Sequence, residues 1–146
     1  MSAKISMMLG MLPQFKNFSK CEVDGTPSNE QEFLASVRLY KRHANPAVPS
    51  ILVPSSEWGF TYDDVMAQEP ALKAIAMEQV REKRNKLLTE ADSVTMKCLS
   101  MGLTIPAEWS AYQQALRDLP ATSDPDFGPD SNIVGVNWPV APLTKP

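Results

Sequence analysis

Proline placement constrains this chain more than any other feature. Thirteen prolines stand against six glycines, and they gather over 46–54 and from Pro120 to the end. Each proline removes a backbone donor and biases the residue before it toward extended geometry. The chain therefore alternates helical blocks with stiff extended connectors. With 146 residues it forms one ordinary domain, or a small domain with a helical appendage.

The helical blocks are marked by period and caps. In 105–120, Trp109, Tyr112 and Leu116 fall at i, i+3 and i+7 and put two aromatics and a leucine on one face. Pro106 suits the first turn of that helix, and Pro120 is expected to stop it. The longest regular segment begins at Glu69-Pro70, where Leu72, Ile75, Ala76, Val80, Leu87 and Leu88 keep a 3.6-residue period to Thr89. Glu90 to Ser93 reads as a break or recapping point, followed by a further helical piece over 94–101 with Gly102 just past its end.

Ahead of these lie less regular stretches. Residues 1–24 leave a strand and an irregular hydrophobic arm both open. Ser28 and Gln31 have capping-box spacing, and Phe33, Val37 and Tyr40 share a stripe, which predicts a helix over about 29–42. The segment 44–56 reads as connector or edge strand, Trp58-Gly59-Phe60 as its docking point, and Thr61 as the cap of a short helical turn. Near the end, Val134, Val136 and Trp138 alternate as in a short strand.

Composition narrows the function. Hydrophobic residues make up 43% and charged residues 21%, a globular balance, and the net charge of −3 gives no electrostatic basis for binding nucleic acid. The start of the chain lacks a signal-peptide pattern, and no apolar run reaches the roughly 18 residues that span a bilayer. Cys21 and Cys98 read as reduced thiols rather than a disulfide framework. His43 has no base–orienter arrangement with a Ser or Cys, and the acid pairs Asp63-Asp64 and Asp124…Asp126 read as solvated turns. Glu78, Arg81, Glu82 and Lys86 interleave as a solvated, salt-bridged face. The expectation is a non-enzyme with no catalytic residues, cofactor or metal, acting by binding other proteins.

Three strings in order then carry a resemblance. They are R-N-K-L-L-T-E-A-D, I-P-A-E-W-S-A-Y-Q-Q-A-L-R-D-L-P and, after a Pro-containing linker, V-N-W-P-V-A-P. Together they resemble the C-terminal domain of bacteriophage tail assembly chaperones and tail-fibre assembly proteins. Arg84, Leu87, Leu88 and Asp92 match the first family motif, Tyr112, Gln114, Ala115, Leu116, Arg117, Asp118 and Pro120 the second, and Trp138 and Pro139 the third. The sequence departs from the pattern at Ser93-Val94, where an aromatic is usual, and at Gln113, where arginine is usual and where a changed surface contact is expected.

The resemblance covers about 81–142. It implies a variable N-terminal part over 1–65 and a tail-assembly-chaperone-like helical domain with an extended C-terminal tail over 66–146. The expected fold is α+β and mainly helical. It has a C-terminal helical hairpin with an extended Trp-Pro tail, preceded by a small N-terminal part with one helix and extended segments. The implied function is binding of a phage tail-fibre or other tail protein during virion assembly, in the host cytoplasm, with the virion tail as location if the protein stays on its client. A permanent fibre-tip or baseplate adaptor is the alternative, and a second copy of the chain is a further candidate partner. Trp109, Tyr112 and Leu116 are open to core and to interface roles; a hairpin with 72–88 would bury them. Arg117 and Asp118 are open to pairing with each other or with Arg84 and Asp92, and to contacting a partner. Trp138 is expected to anchor the tail.

Overall fold

The computed structural model describes residues 2–146. It is α+β and mainly helical, with about 52% helix and 11% strand. The chain divides into two compact units. One comprises the residues up to Lys73 with Phe127–Asn132, the other Ala74–Asp126 with Ile133–Pro146.

The first unit opens with helix α1 (Ala3–Gly10), whose N-cap Ser2 accepts from the Ile5 N–H. Ile5, Met8, Leu9 and Leu12 repeat at i, i+3, i+4 and i+7 and are all buried. The apolar run expected as a strand or an irregular arm is thus a helix, and a strand appears only at 20–23. A 3-10 turn (Pro13–Asn17) leads into β1 (Lys20–Val23). Helix α2 (Glu30–Ser36), strands β2 (Val37–Lys41) and β3 (Ile51–Val53), and helix α3 (Tyr62–Met66) follow.

The strands form an antiparallel sheet in the order β1-β2-β3, with Val23 opposite Val37 and Leu39 opposite Val53. All four of these apolar residues are buried. The 44–56 segment thus supplies an edge strand. Trp58 docks it, donating from Nε1 to the Val53 carbonyl at 3.0 Å and meeting Phe33 edge-on at 5.9 Å. Thr61 and Asp64 form the capping box of α3. The 127–132 segment is tied to α1 where the Ala3 N–H donates to the Pro129 carbonyl.

The helix expected over 29–42 ends at Ser36, and the rest of that stretch is β2. Phe33, Val37 and Tyr40 suit a helical stripe, but Val37, Arg38 and Leu39 also alternate. Burial of Val37 and Leu39 against Val23 and Val53 outweighs local helix preference. The cap also lies one residue later than expected. Asn29 accepts from the Glu32 N–H at 2.9 Å, and the Glu32 carboxylate accepts from both the N–H and the hydroxyl of Ser28 at 2.8 Å.

The second unit is a helical hairpin. Helix α4 (Glu69–Ser100), whose first turn belongs to the first unit, runs 32 residues without the break expected at 90–93. Ala91, Val94 and Cys98 lie on one face and are buried there. The Ser93 hydroxyl donates to the Glu90 carbonyl rather than capping a new helix. Beyond the end of α4, Gly102 takes φ 66, its N–H donates to Leu99, and the Leu103 N–H reaches Cys98 at 2.8 Å. This is a complete Schellman motif.

Helix α5 (Ala107–Thr122) has Pro106 at its N-cap, one position before the first turn. Pro120 lies inside α5 instead of ending it. So close to the C-terminus, the lost N–H leaves only the Leu116 carbonyl without its helical donor, and the Thr122 hydroxyl covers the Asp118 and Leu119 carbonyls. Strands β4 (Asp126–Phe127) and β5 (Ile133–Val134) pair as a short ribbon. The strand expected through Val136 and Trp138 stops at Gly135, which turns the chain at φ 79. A Cβ at Gly135 would collide with the Asp124 carbonyl oxygen, so only glycine fits there.

Candidate functional site

The short 101–106 connection decides which parts of the hairpin meet. Residues at equal distance from the turn face each other, so the start of α5 packs on the end of α4. Trp109, Tyr112 and Leu116 are buried with Ala91, Val94 and Cys98, and Leu87, Leu88 and Ile105 pack around them. The partner segment is therefore 87–98 rather than 72–88. Trp109 and Tyr112 pack edge to face at 5.9 Å. Burial, with the Glu90 charge nearby, pushes the Tyr112 phenol above its ordinary value.

Gln113 lies on this buried face instead of at the surface. It is 6% exposed, and its amide nitrogen donates to Asp92 Oδ1 at 3.0 Å and to Thr95 Oγ1 at 2.9 Å. These bonds cross the hairpin and lock its register. The signal was present in the spacing, because Gln113 follows Trp109 by four and precedes Leu116 by three. Polarity concealed it.

The tail returns to the hairpin at two points. Trp109 Nε1 donates to the Thr144 carbonyl at 2.9 Å, and the Lys83 ammonium sits 4.4 Å from the centre of the half-buried Trp138 ring. Pro139 is half-buried beside it in sequence. A small cavity of about 80 Å³ remains between helices and tail, lined by Leu87, Glu90, Ala91, Trp109, Tyr112 and Pro142 among others.

The charged motif residues do not pair with one another among the described residues. The half-buried Arg84 donates from Nε to Asn85, Asp92 accepts from Gln113, and the exposed Asp118 accepts from Gln114. Arg117 is exposed on α5. On the solvated face of α4, Arg81 meets Glu78 at 3.7 Å. An exposed apolar patch surrounds the hairpin turn. Met96, Leu99, Met101 and Leu103 are 65%, 61%, 59% and 45% exposed, too much for residues of their type to count as core.

Of the reactive side chains, His43 and Cys21 belong to the first unit and Cys98 to the hairpin core. His43 Nδ1 accepts from the Asn45 N–H. Both cysteines are free, Cys98 buried and Cys21 half-buried, and burial together with Glu22 pushes the Cys21 thiol up to about 11. Cys21 is thus protonated at neutral pH and a poor nucleophile. Among the described residues no group of three His, Cys, Asp or Glu side chains could hold a metal, and no helix is long and apolar enough to cross a membrane.

Residues 77–143 match the model of a family described as phage tail assembly chaperone protein. The match takes in most of α4, all of α5 and the returning tail, so the resemblance carried by Arg84 through Pro139 is that of the C-terminal part. Residues 1–76 lie outside it. Comparison with curated proteins and with solved structures gives no match.

Proposed function

We propose that this protein is a tail assembly chaperone that acts without catalysis, binding a tail or tail-fibre protein in the host cytoplasm during virion assembly. The family match across α4, α5 and the tail carries the reading. The exposed Met96, Leu99, Met101 and Leu103 support it, because flexible methionine and leucine side chains adapt to the apolar surface of an incompletely assembled client. Trp109, Tyr112, Leu116, Leu87 and Leu88 build the scaffold that holds this patch, while Trp138 and Pro139 tie down the tail. Arg117 and Asp118 are exposed near the other end of α5 and serve as polar client contacts. The 66–146 part is assigned the shared chaperone role, and the 1–65 part the choice of client.

Co-expression tests this directly. Soluble yield of a tail or tail-fibre protein encoded beside this one should rise, and the two should co-purify. Unchanged yield with no co-purifying tail protein would overturn the proposal. Mass spectrometry of purified particles then separates a chaperone that leaves from a component that stays attached.

A further inference from the structure

The first unit contains a charge arrangement that the hairpin does not use. Lys16, Asn17, Phe18 and Ser19 form one wall of an open cleft of about 410 Å³, and Lys41 and Arg42 form the other. The walls are fixed to each other, since both the N–H and the hydroxyl of Ser19 donate to the Tyr40 carbonyl. Phe18 meets Phe60 edge-on at 6.4 Å, and the Lys41 ammonium sits 5.8 Å from the Phe18 ring centre. The Lys41 ammonium is therefore held against this ring before any ligand arrives.

Other cations of the same unit have carboxylate partners. Lys4 meets Glu69, Lys20 meets Glu22, and Arg38 lies between Glu22 and Asp24. Lys16, Lys41 and Arg42 form no ion pair among the described residues, and no acid lines the cleft. In a chain of net charge −3, three unpaired cations around one cleft reverse the sign of the local field.

We infer that this cleft binds an acidic, extended segment of a partner protein, with Lys16, Lys41 and Arg42 facing its carboxylates. Charge complementarity selects the anion, and the form of the cleft selects the peptide. Phosphate sites commonly add backbone N–H groups at helix N-termini or glycine-rich loops to their cationic side chains, and neither lines this cleft. Single-stranded nucleic acid needs free aromatic faces for its bases, whereas the one ring here is engaged by Lys41 and Phe60. The cleft lies outside the 77–143 match, and the inference stands whether or not the chaperone reading does.

The test uses the full chain and a fluorescein-labelled peptide of six glutamates flanked by glycines. Anisotropy should show binding that weakens as salt rises. The double variant Lys16→Glu/Arg42→Glu changes two exposed residues, so its circular dichroism should match the parent while affinity falls at least about tenfold. Arg81→Glu/Lys86→Glu on α4 should bind as the parent does. Carbodiimide coupling should join peptide carboxylates to the Lys16 and Lys41 amines. Absence of binding, equal binding by the Lys16/Arg42 variant, or coupling concentrated on other lysines would overturn the inference. Tighter binding of inorganic phosphate or of an oligothymidine probe at this cleft would overturn the assignment to a protein segment. None of these results depends on tail-protein solubility, so the two proposals fail separately.

Discussion

The two units hold themselves together in different ways. In the second, two helices meet across one short connection, and a single stripe on each helix supplies the core. In the first, β2 lies between strands that come from before and after it in the chain, and Phe33 contacts Trp58 and Tyr62 across a proline-rich connector. Each helix of the hairpin satisfies its backbone hydrogen bonds within itself, whereas each strand of the sheet needs a neighbouring strand. A fold of the first kind is written in period and caps. A fold of the second kind depends on partners that sequence spacing does not reveal.

The largest test of this contrast is Phe33→Ala. Phe33 is fully buried under Trp58 and Tyr62, and its truncation should cost about 3–5 kcal/mol. Hydrogen exchange should report the loss in β1–β3 first and leave the α4–α5 amides from 87 to 119 protected. Equal loss of protection in both regions would mean that the two units fold as one.

Gln113→Ala probes the hairpin with a smaller effect. It removes the donor to Asp92 and Thr95 and should cost about 1–2 kcal/mol in urea unfolding, because those acceptors lose a bond that crosses α4 and α5. A stability unchanged within error would show that the apolar stripe alone sets the helix register.

The smallest effect is that of acid on the first unit. The Ser28 backbone N–H, then its hydroxyl, hold the Glu32 carboxyl below its ordinary value, and Lys20, then Tyr40, do the same for Glu22. A carboxyl lowered by folding adds stability that is present above its unfolded pKa and is lost as pH falls through the folded one. Stability should therefore decline as pH drops below about 4.3, the ordinary glutamate value, and Glu32→Gln should flatten the decline. Thermal melts across pH 3 to 6 would check this. A profile in which Glu32→Gln follows the parent would remove Glu32 as a cause.

How much could be read ahead follows the same division. Trp109, Tyr112 and Leu116 announced α5, and Gly102 the end of α4, because both signals are local in origin. Continuity of α4 through 90–93 was not legible, since Glu90, Asp92 and Ser93 resemble a capping sequence until Ala91 and Val94 are seen to be buried. Gln113 was misplaced because a polar side chain reads as surface until Asp92 and Thr95 are found opposite it. In the first unit, the stripe of Phe33, Val37 and Tyr40 suited a helix as well as a strand, and only pairing with Val23 and Val53 decided between them.

By itself, then, the sequence determined the hairpin, its caps, the arms broken by proline and the motif order shared with tail assembly chaperones. All of these rest on interactions within a few residues or on the identity of the residues. Tertiary structure alone decided the β1-β2-β3 sheet, the stretch of α4 that α5 meets, the docking of Thr144 on Trp109 and the meeting of Lys16 with Lys41 and Arg42. Each joins residues whose separation along the chain carries no period, so burial and hydrogen bonding in three dimensions had to select them.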